Sequence, residues 1–233
     1  MPNNDNGFRN SDKLTSWVRY MLYVQIIVAV VSIISGYLEY ELLSDYQNGV
    51  YTSQEKAVAD GEASDQRQGL VGIVYLVVFV ISGFLILRWI HRANYNARQL
   101  GAENMEFTPG WSIGYYFIPI LTLWKPYQAM KEIWKASKSP SNWESQNTSG
   151  ILPMWWTLWL ISNVLGQAIF RLSMRAEELN DLINLNIVTQ ISNVLDIPLA
   201  LMLLAIVSNI QNMQKSHLAS ANNQIQPTAE SVG

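Results

Sequence analysis

The chain has 233 residues, enough for one domain of ordinary size. Only 14 % of them are charged, well below the roughly 25 % of soluble domains, and a net charge of −3 removes bulk attraction for nucleic acid. The absence of cysteine excludes disulfides, Cys-bound zinc and thiol catalysis, and two histidines, His91 and His217, make a His-rich metal site remote; the sequence implies neither metal nor cofactor.

Residues 1–16 are polar and read as a loose N-terminal tail. From 17 to 38 the chain is largely apolar, long enough to span roughly 30 Å of hydrocarbon. It is long for a signal-peptide core and lacks a following A-x-A site, so an uncleaved anchor fits better. Residues 39–69 are acidic and read as a solvated loop. Within them Thr52 with Glu55 fits a capping box for one short helix, and Asp65 with Gln68 fits the start of another. The second span covers 70–89, and its helix can continue to Gln99, with Gly101 as the stop.

An aromatic and basic hub follows, over 88–138. Its apolar piece, 110–124, is short for a span and is broken by Pro119, which suits a re-entrant or interfacial segment. Residues 127–137 alternate with a helical period: Met130, Ile133 and Trp134 share one side, with Lys131, Lys135 and Lys138 elsewhere. That is the pattern of a helix lying on a membrane surface. Further spans are expected at 152–170 and 187–209, separated by a mixed stretch. The membrane domain thus covers 17–213, and 214–233 is rich in Asn, Gln, Ser and Ala and reads as a disordered tail.

The distribution of Lys and Arg sets a topology. With four spans and both termini inside, the inner segments carry Arg9, Lys13, Arg19, Arg88, Arg92, Arg98, Lys125, Lys131, Lys135, Lys138 and Lys215. The outer loops carry Lys56, Arg67, Arg171 and Arg175. The expected location is a cell (inner) membrane with cytoplasmic termini.

The hub carries a resemblance. The R-W-x-x-R-A-N-x-N-A-R run from Arg88, the F-T-P-G-W run from Phe107, the W-K-P-Y-Q-A-M-x-E-I-W run from Trp124, and the pair Trp155 and Trp156 are similar to the bacterial membrane-protein family called domain of unknown function 4328. The likeness covers roughly residues 70–210. It implies a multi-span membrane protein and transfers no activity, cofactor or catalytic residue.

Several residues could carry chemistry. Gln25, Asn163, Gln167, Asn193 and Asp196 fall inside expected spans. Stripes of small and polar residues are how membrane helices approach one another, so the amides read first as packing. Asp196 is costlier, at about 2.5–3.5 kcal/mol near the bilayer centre. Its candidate partners are Ser192, Asn193, Asn163, Gln167 and Gln25. Packed among them it would be neutral; lining a wet cavity it would be a cation or proton site. Arg88, Arg92, Arg98, Lys125, Lys131, Lys135 and Lys138 could hold anionic lipid headgroups. Trp89, Trp111, Trp124, Trp134, Trp155 and Trp156 read as interface anchors. No phosphate-binding glycine loop, H-E-x-x-H or G-x-S-x-G occurs, which lowers the weight of an enzyme. The expectation is an all-α bundle of four transmembrane helices with an amphipathic inner helix. It would bind lipid or a protein partner, itself or another chain. A small oligomeric transporter built on Asp196 is the alternative.

Overall fold

The computed structural model describes residues 7–225. All regular elements among them are helical. They are α1 (Asp12–Gln47), α2 (Gln54–Gln99), the one-turn α3 (Trp111–Gly114), two 3-10 turns (Tyr115–Phe117 and Leu121–Leu123), α4 (Lys125–Lys138), a 3-10 turn (Pro140–Asn142), α5 (Ile151–Ser173) and α6 (Leu179–Ile225). Three helices, α1, α2 and α6, are long and apolar enough to cross a membrane. The expected span at 152–170 lies in α5 but does not reach that apolarity. Its run contains Trp155, Trp156 and Trp159 together with the amides Asn163 and Gln167, which dilute the aliphatic content.

Several boundaries move outward. Helix α1 begins at Asp12, inside the stretch read as a tail, and Ser11 and Thr15 are buried; residues 1–6 lie outside the described residues. At the other end α1 runs on to Gln47, so the acidic loop shrinks to a short turn. The two short helices expected between 52 and 69 are instead the start of one continuous α2. Ser53 caps it, its Oγ accepting from the Lys56 N–H at 3.4 Å. Helix α6 passes through Pro198 and includes 214–225, which the composition had placed in a disordered tail; residues 226–233 lie outside the described residues. The 110–124 segment forms no span-length helix. It is a series of tight turns around Pro119, with Ile120 at φ +70°.

The chain divides into two compact units, and α1, α2, α5 and α6 contribute residues to both. The first unit holds the N-terminus to Arg19, Gly83–Trp156, and the chain from Leu203 onward. Its core includes Trp89, Ile90, Met130, Ile133, Leu152, Ile206 and Ile210. The apolar face of α4 is part of that core, with Ala129, Met130, Ile133 and Ala136 almost fully buried. This face therefore packs on protein and does not lie on a membrane surface, as its amphipathic pattern had suggested. Four of the six tryptophans expected as interface anchors, Trp89, Trp134, Trp155 and Trp156, are buried as well. A unit built from helix ends and turns has few long aliphatic faces, and large aromatics fill it.

The second unit holds Tyr20–Ser82 and Thr157–Met202. Small and polar positions are buried on both α1 and α6: Ala29, Ser32 and Gly36 on α1, and Asn186, Ser192 and Asn193 on α6, while Ser35 of α1 meets α2, its Oγ accepting from Arg67 at 3.2 Å. Gln190 Nε2 donates to the Ile33 carbonyl at 2.9 Å, and Asn186 Nδ2 to the Gly36 carbonyl at 2.9 Å. Gly36 is needed there, because a Cβ would lie 2.8 Å from the Gln190 amide. Gly36→Ala should displace that amide and lose about 1 kcal/mol. Gly36→Leu should force the helices apart at a further cost of about 1–3 kcal/mol. Gly83→Ala, which meets nothing within 4 Å, should be neutral or mildly stabilising. Thermal unfolding in detergent should rank them in that order, and equal midpoints for the two alanine variants would contradict the close approach.

Candidate functional site

In the first unit the end of α2 fastens backbone around its whole circumference, Arg92 and Asn96 on one side and Asn94 and Arg98 on the other. Asn96 exchanges two bonds with Arg9, accepting from its N–H at 3.1 Å and donating to its carbonyl at 2.9 Å. The Arg9 guanidinium lies 4.4 Å above the Tyr95 ring. Arg92 donates to the Asn10 carbonyl at 3.1 Å. Asn94, fully buried, donates to the Phe107 carbonyl at 2.8 Å. Arg98 Nη2 donates to the carbonyls of Met105 and Phe107, both at 2.9 Å. Ala93 and Ala97 are small where these segments come close, and the Ala93 carbonyl accepts from Gln214 of α6 at 2.8 Å. Helix α6 is tied further by Gln214 to Ser137 Oγ, and by Gln211, whose Oε1 accepts from Ser11 and Thr15. Lys215 pairs with Asp12 at 2.6 Å.

Glu132 completes the clamp from α4. Its carboxylate accepts the backbone N–H groups of Glu106 and Phe107, the latter at 3.1 Å. The 105–107 turn is thus held by its carbonyls on α2 and by its N–H groups on α4. Burial pushes the Glu132 carboxyl above its ordinary range, against the two N–H donors and Arg98, which pull it down. Glu132 went unmarked in the sequence, though its position three residues after Ala129 and four before Ala136 places it on the buried face.

The basic candidates separate. Arg98 is committed to carbonyls inside the unit and has no free fork for a phosphate. Arg92 is similarly engaged with Asn10. Lys125 pairs with Glu106 at 3.0 Å and lies 5.1 Å from the Phe107 ring centre; Lys135 donates to the Glu144 carbonyl. Arg88, Lys131 and Lys138 are exposed and make no ion pair among the described residues. The turn segment that precedes α4 exposes Trp111, Phe117, Ile120, Leu123 and Trp124, with Phe117 and Ile120 at 72 % and 70 %. Trp156 Nε1 donates to the Leu123 carbonyl at 3.0 Å and ties one side of that turn down.

In the second unit Asp196 is met by a residue the sequence reading had not named. The Tyr75 hydroxyl donates to Asp196 Oδ2 at 2.8 Å. A single hydroxyl within the LVGIVYLVV run was the available signal. None of the expected amide partners hydrogen-bonds Asp196. Asn163 donates to the Trp159 carbonyl of its own helix and is exposed; Gln167 is exposed; Gln25 is half-buried; Asn193 lies 3.5 Å from Gln190 Oε1. A second cluster collects around Glu39, whose Oε2 accepts from Gln68 at 2.9 Å and from Asn186 at 2.7 Å. Glu39 had been counted with the solvated acidic loop; the extension of α1 carries it into the helix contact. Among the described residues no three His, Asp or Glu side chains gather as metal ligands.

These features define an all-α protein with three helices fit to cross a membrane and a polar-clamped unit of helix ends and turns. The chain belongs to the family described as Domain of unknown function (DUF4328), whose model matches residues 53–212. The match covers the Asn94, Arg98 and Glu132 contacts to the 105–107 turn and the Tyr75–Asp196 pair, reaches back to the start of α2, and leaves α1, Arg9, Asn10 and Gln214 outside. No curated protein and no solved structure matches the chain.

The clamp has a pH signature. A raised folded-state pKa means that the native state holds more protons than the unfolded chain between the ordinary value of 4.5 and the shifted one. Stability from Glu132 is therefore greatest at or below 4.5 and declines as pH rises through the shifted pKa. Glu132→Gln keeps one acceptor and turns an NH2 toward the other N–H, which should cost about 1–3 kcal/mol. The wild-type advantage over this variant, followed by unfolding midpoint from pH 4.5 to 8, should shrink with rising pH. An advantage that grows with pH would mean a depressed pKa instead.

Proposed function

We propose that this chain is a non-enzymatic, four-span membrane module whose hub presents an apolar tip and a basic flank to an anionic lipid surface. The observation that carries this reading is the turn around Pro119. It exposes Phe117, Ile120, Leu123 and Trp124 side by side in sequence, and it holds Ile120 at φ +70°. A β-branched residue in the left-handed region is strained by about 1–3 kcal/mol. That strain projects an isoleucine outward, which has no value to a tip facing water and a clear one to a tip seated among acyl chains. The exposed side of α4 carries Trp124, Gln128, Lys131, Lys135 and Lys138 at helical spacing, so the apolar tip runs into a basic stripe. Each such basic residue near an anionic surface contributes about 1 kcal/mol, falling with salt.

The fourth span is supported by parity. The start of α1 and the end of α6 are both bonded into the first unit, through Ser11, Thr15, Gln211 and Gln214. Two crossings by α1 and α2 return the chain to the side where it began. A crossing α6 that ends on that side must begin on the other, so α5, the remaining long helix, has to cross too. Its 23 residues reach roughly 34 Å. The weighting of basic residues puts the first unit and both termini in the cytoplasm. A small transporter using Asp196 is the second reading, and the Tyr75–Asp196 bond is what favours it.

Spin labels test the tip, since the chain has no cysteine of its own. A label at Ile120→Cys in lipid nanodiscs should be accessible to oxygen and shielded from a polar nickel chelate, like one at Val80→Cys. Chelate access equal to that at Ser141→Cys would reject an inserted tip. In the same discs Lys131→Gln with Lys138→Gln should reduce salt-sensitive retention of anionic lipid, and unchanged retention would leave those lysines a topological role only.

A further inference from the structure

The Tyr75–Asp196 pair is incomplete within one chain. Tyr75 is 37 % exposed, and its hydroxyl is the hydrogen-bond donor that the described residues supply to the Asp196 carboxylate. Almost none of the apolar stretch of α2 that carries Tyr75 is buried, against a third of the corresponding stretches of α1 and α6. In hydrocarbon an acid with one donor and an open flank is costly, and acyl chains offer no second donor.

Helix α5 shows the complementary defect. Asn163, Gly166, Gln167 and Phe170 share one face of it, and all four are exposed. Asn163 reaches its own Trp159 carbonyl with one of its amide hydrogens, and Gln167 makes no hydrogen bond among the described residues. These are amide donors turned outward from a helix read as a span. Their depth matches that of the acid. Counted within the second unit, Asn163 is the seventh residue of its α5 portion (157–163), Asp196 is seventh from the end of its α6 portion (196–202), and Tyr75 is eighth from the end of its α2 portion (75–82). At 1.5 Å per residue each lies roughly 10–12 Å along its own helix from the point where that helix leaves the unit.

We infer that a second copy of this chain covers the Tyr75–Asp196 surface with its α5 face, Asn163 and Gln167 donating to the carboxylate. One contact then satisfies both exposed polar sets, which neither lipid nor a partner lacking amides at that depth would do. The contact joins two different surfaces. It is therefore heterologous, and repeated around an axis normal to the membrane it closes a ring. The inference rests on α5 being a span, and the experiment separates the two.

Gly72 flanks Tyr75 and Gly166 flanks Asn163 and Gln167, at similar depth, and a Cβ at either meets nothing within 4 Å. Single variants Gly72→Cys and Gly166→Cys, in the otherwise cysteine-free full-length chain, are expressed separately, together, and combined in one chain, then oxidised in native membranes. Mixed chains should give a disulfide-linked dimer, the combined variant a ladder of dimers and higher species, and each single variant little of either. Asn163→Leu with Gln167→Leu should insert at least as well while lowering the linked fraction about fivefold, as the loss of about 1 kcal/mol gives. A linked dimer formed only by Gly166→Cys with itself would overturn the heterologous contact. So would the absence of any link when the Gly166→Cys thiol is shielded from a membrane-impermeant maleimide. If that thiol is labelled by the impermeant reagent in intact cells, α5 is not a span and the proposal falls with that reading.

Discussion

Backbone held by buried side chains is the constraint on which the first unit depends. The N-terminal segment before α1 and the 105–107 turn have no ladder or helix to satisfy their polar groups. A buried N–H or carbonyl without a partner costs about 1–3 kcal/mol. Asn94, Asn96, Arg98 and Glu132 supply those partners, with both ends of the Asn96 amide engaged on one residue, Arg9. Arg98 and Glu132 approach the same turn with opposite charges, one on its carbonyls and one on its N–H groups. Such a network is fixed in geometry because its low-dielectric setting penalises each partial break. The turn in turn positions Pro109 and α3, and so the exposed tip that follows.

That clamp was visible in the sequence only as an unexplained run. R-A-N-x-N-A-R reads as basic and polar, and the seven cations of the 88–138 hub look like a surface for phosphates. A sequence shows which charges exist but not which carbonyls stand opposite them. Once Arg98, Arg92 and Lys135 are bonded to carbonyls and Lys125 is paired with Glu106, the uncommitted cations are Arg88, Lys131 and Lys138. The long helices were legible because aliphatic runs of span length leave little choice. Their ends were not. Polar residues such as Ser11, Thr15, Gln211 and Gln214 look like tail and turn out to be buried hydrogen-bonding pairs between helices. Helix α4 shows the same limit, since its period gave the buried face correctly but could not say whether lipid or protein covers it.

Tryptophan misled in a related way. At a membrane boundary and in a tight protein core it is favoured for the same reason, a large apolar body with one N–H to place. Trp89 places its N–H on Thr15 Oγ1 and Trp156 on the Leu123 carbonyl. Both partners belong to distant sequence, so composition alone could not tell anchor from core. The same side chains lower the apolarity of α5 below that of the other three long helices.

In the second unit the polar residues divide by whether they find partners inside one chain. At the α1–α6 contact they do: Gly36 leaves room for the Gln190 amide, and Asn186 and Gln190 bond to α1, with Gln68 of α2 joining Asn186 on Glu39. Such contacts are worth about 0.6–2 kcal/mol each in a membrane, enough to fix a register without any charge. Asp196 differs because its one donor, Tyr75, stands at an open surface. If Asp196 were only packing glue, burying it beside Asn186 or Gln190 would have been cheaper than leaving it at the rim of α2. A half-buried carboxylate whose donor lies on the little-buried stretch of α2 fits a group that arrives there from outside the chain. The exposed amides of α5, of which Asn163 bonds only its own Trp159 carbonyl and Gln167 has no partner among the described residues, are the groups whose chemistry fits that acid.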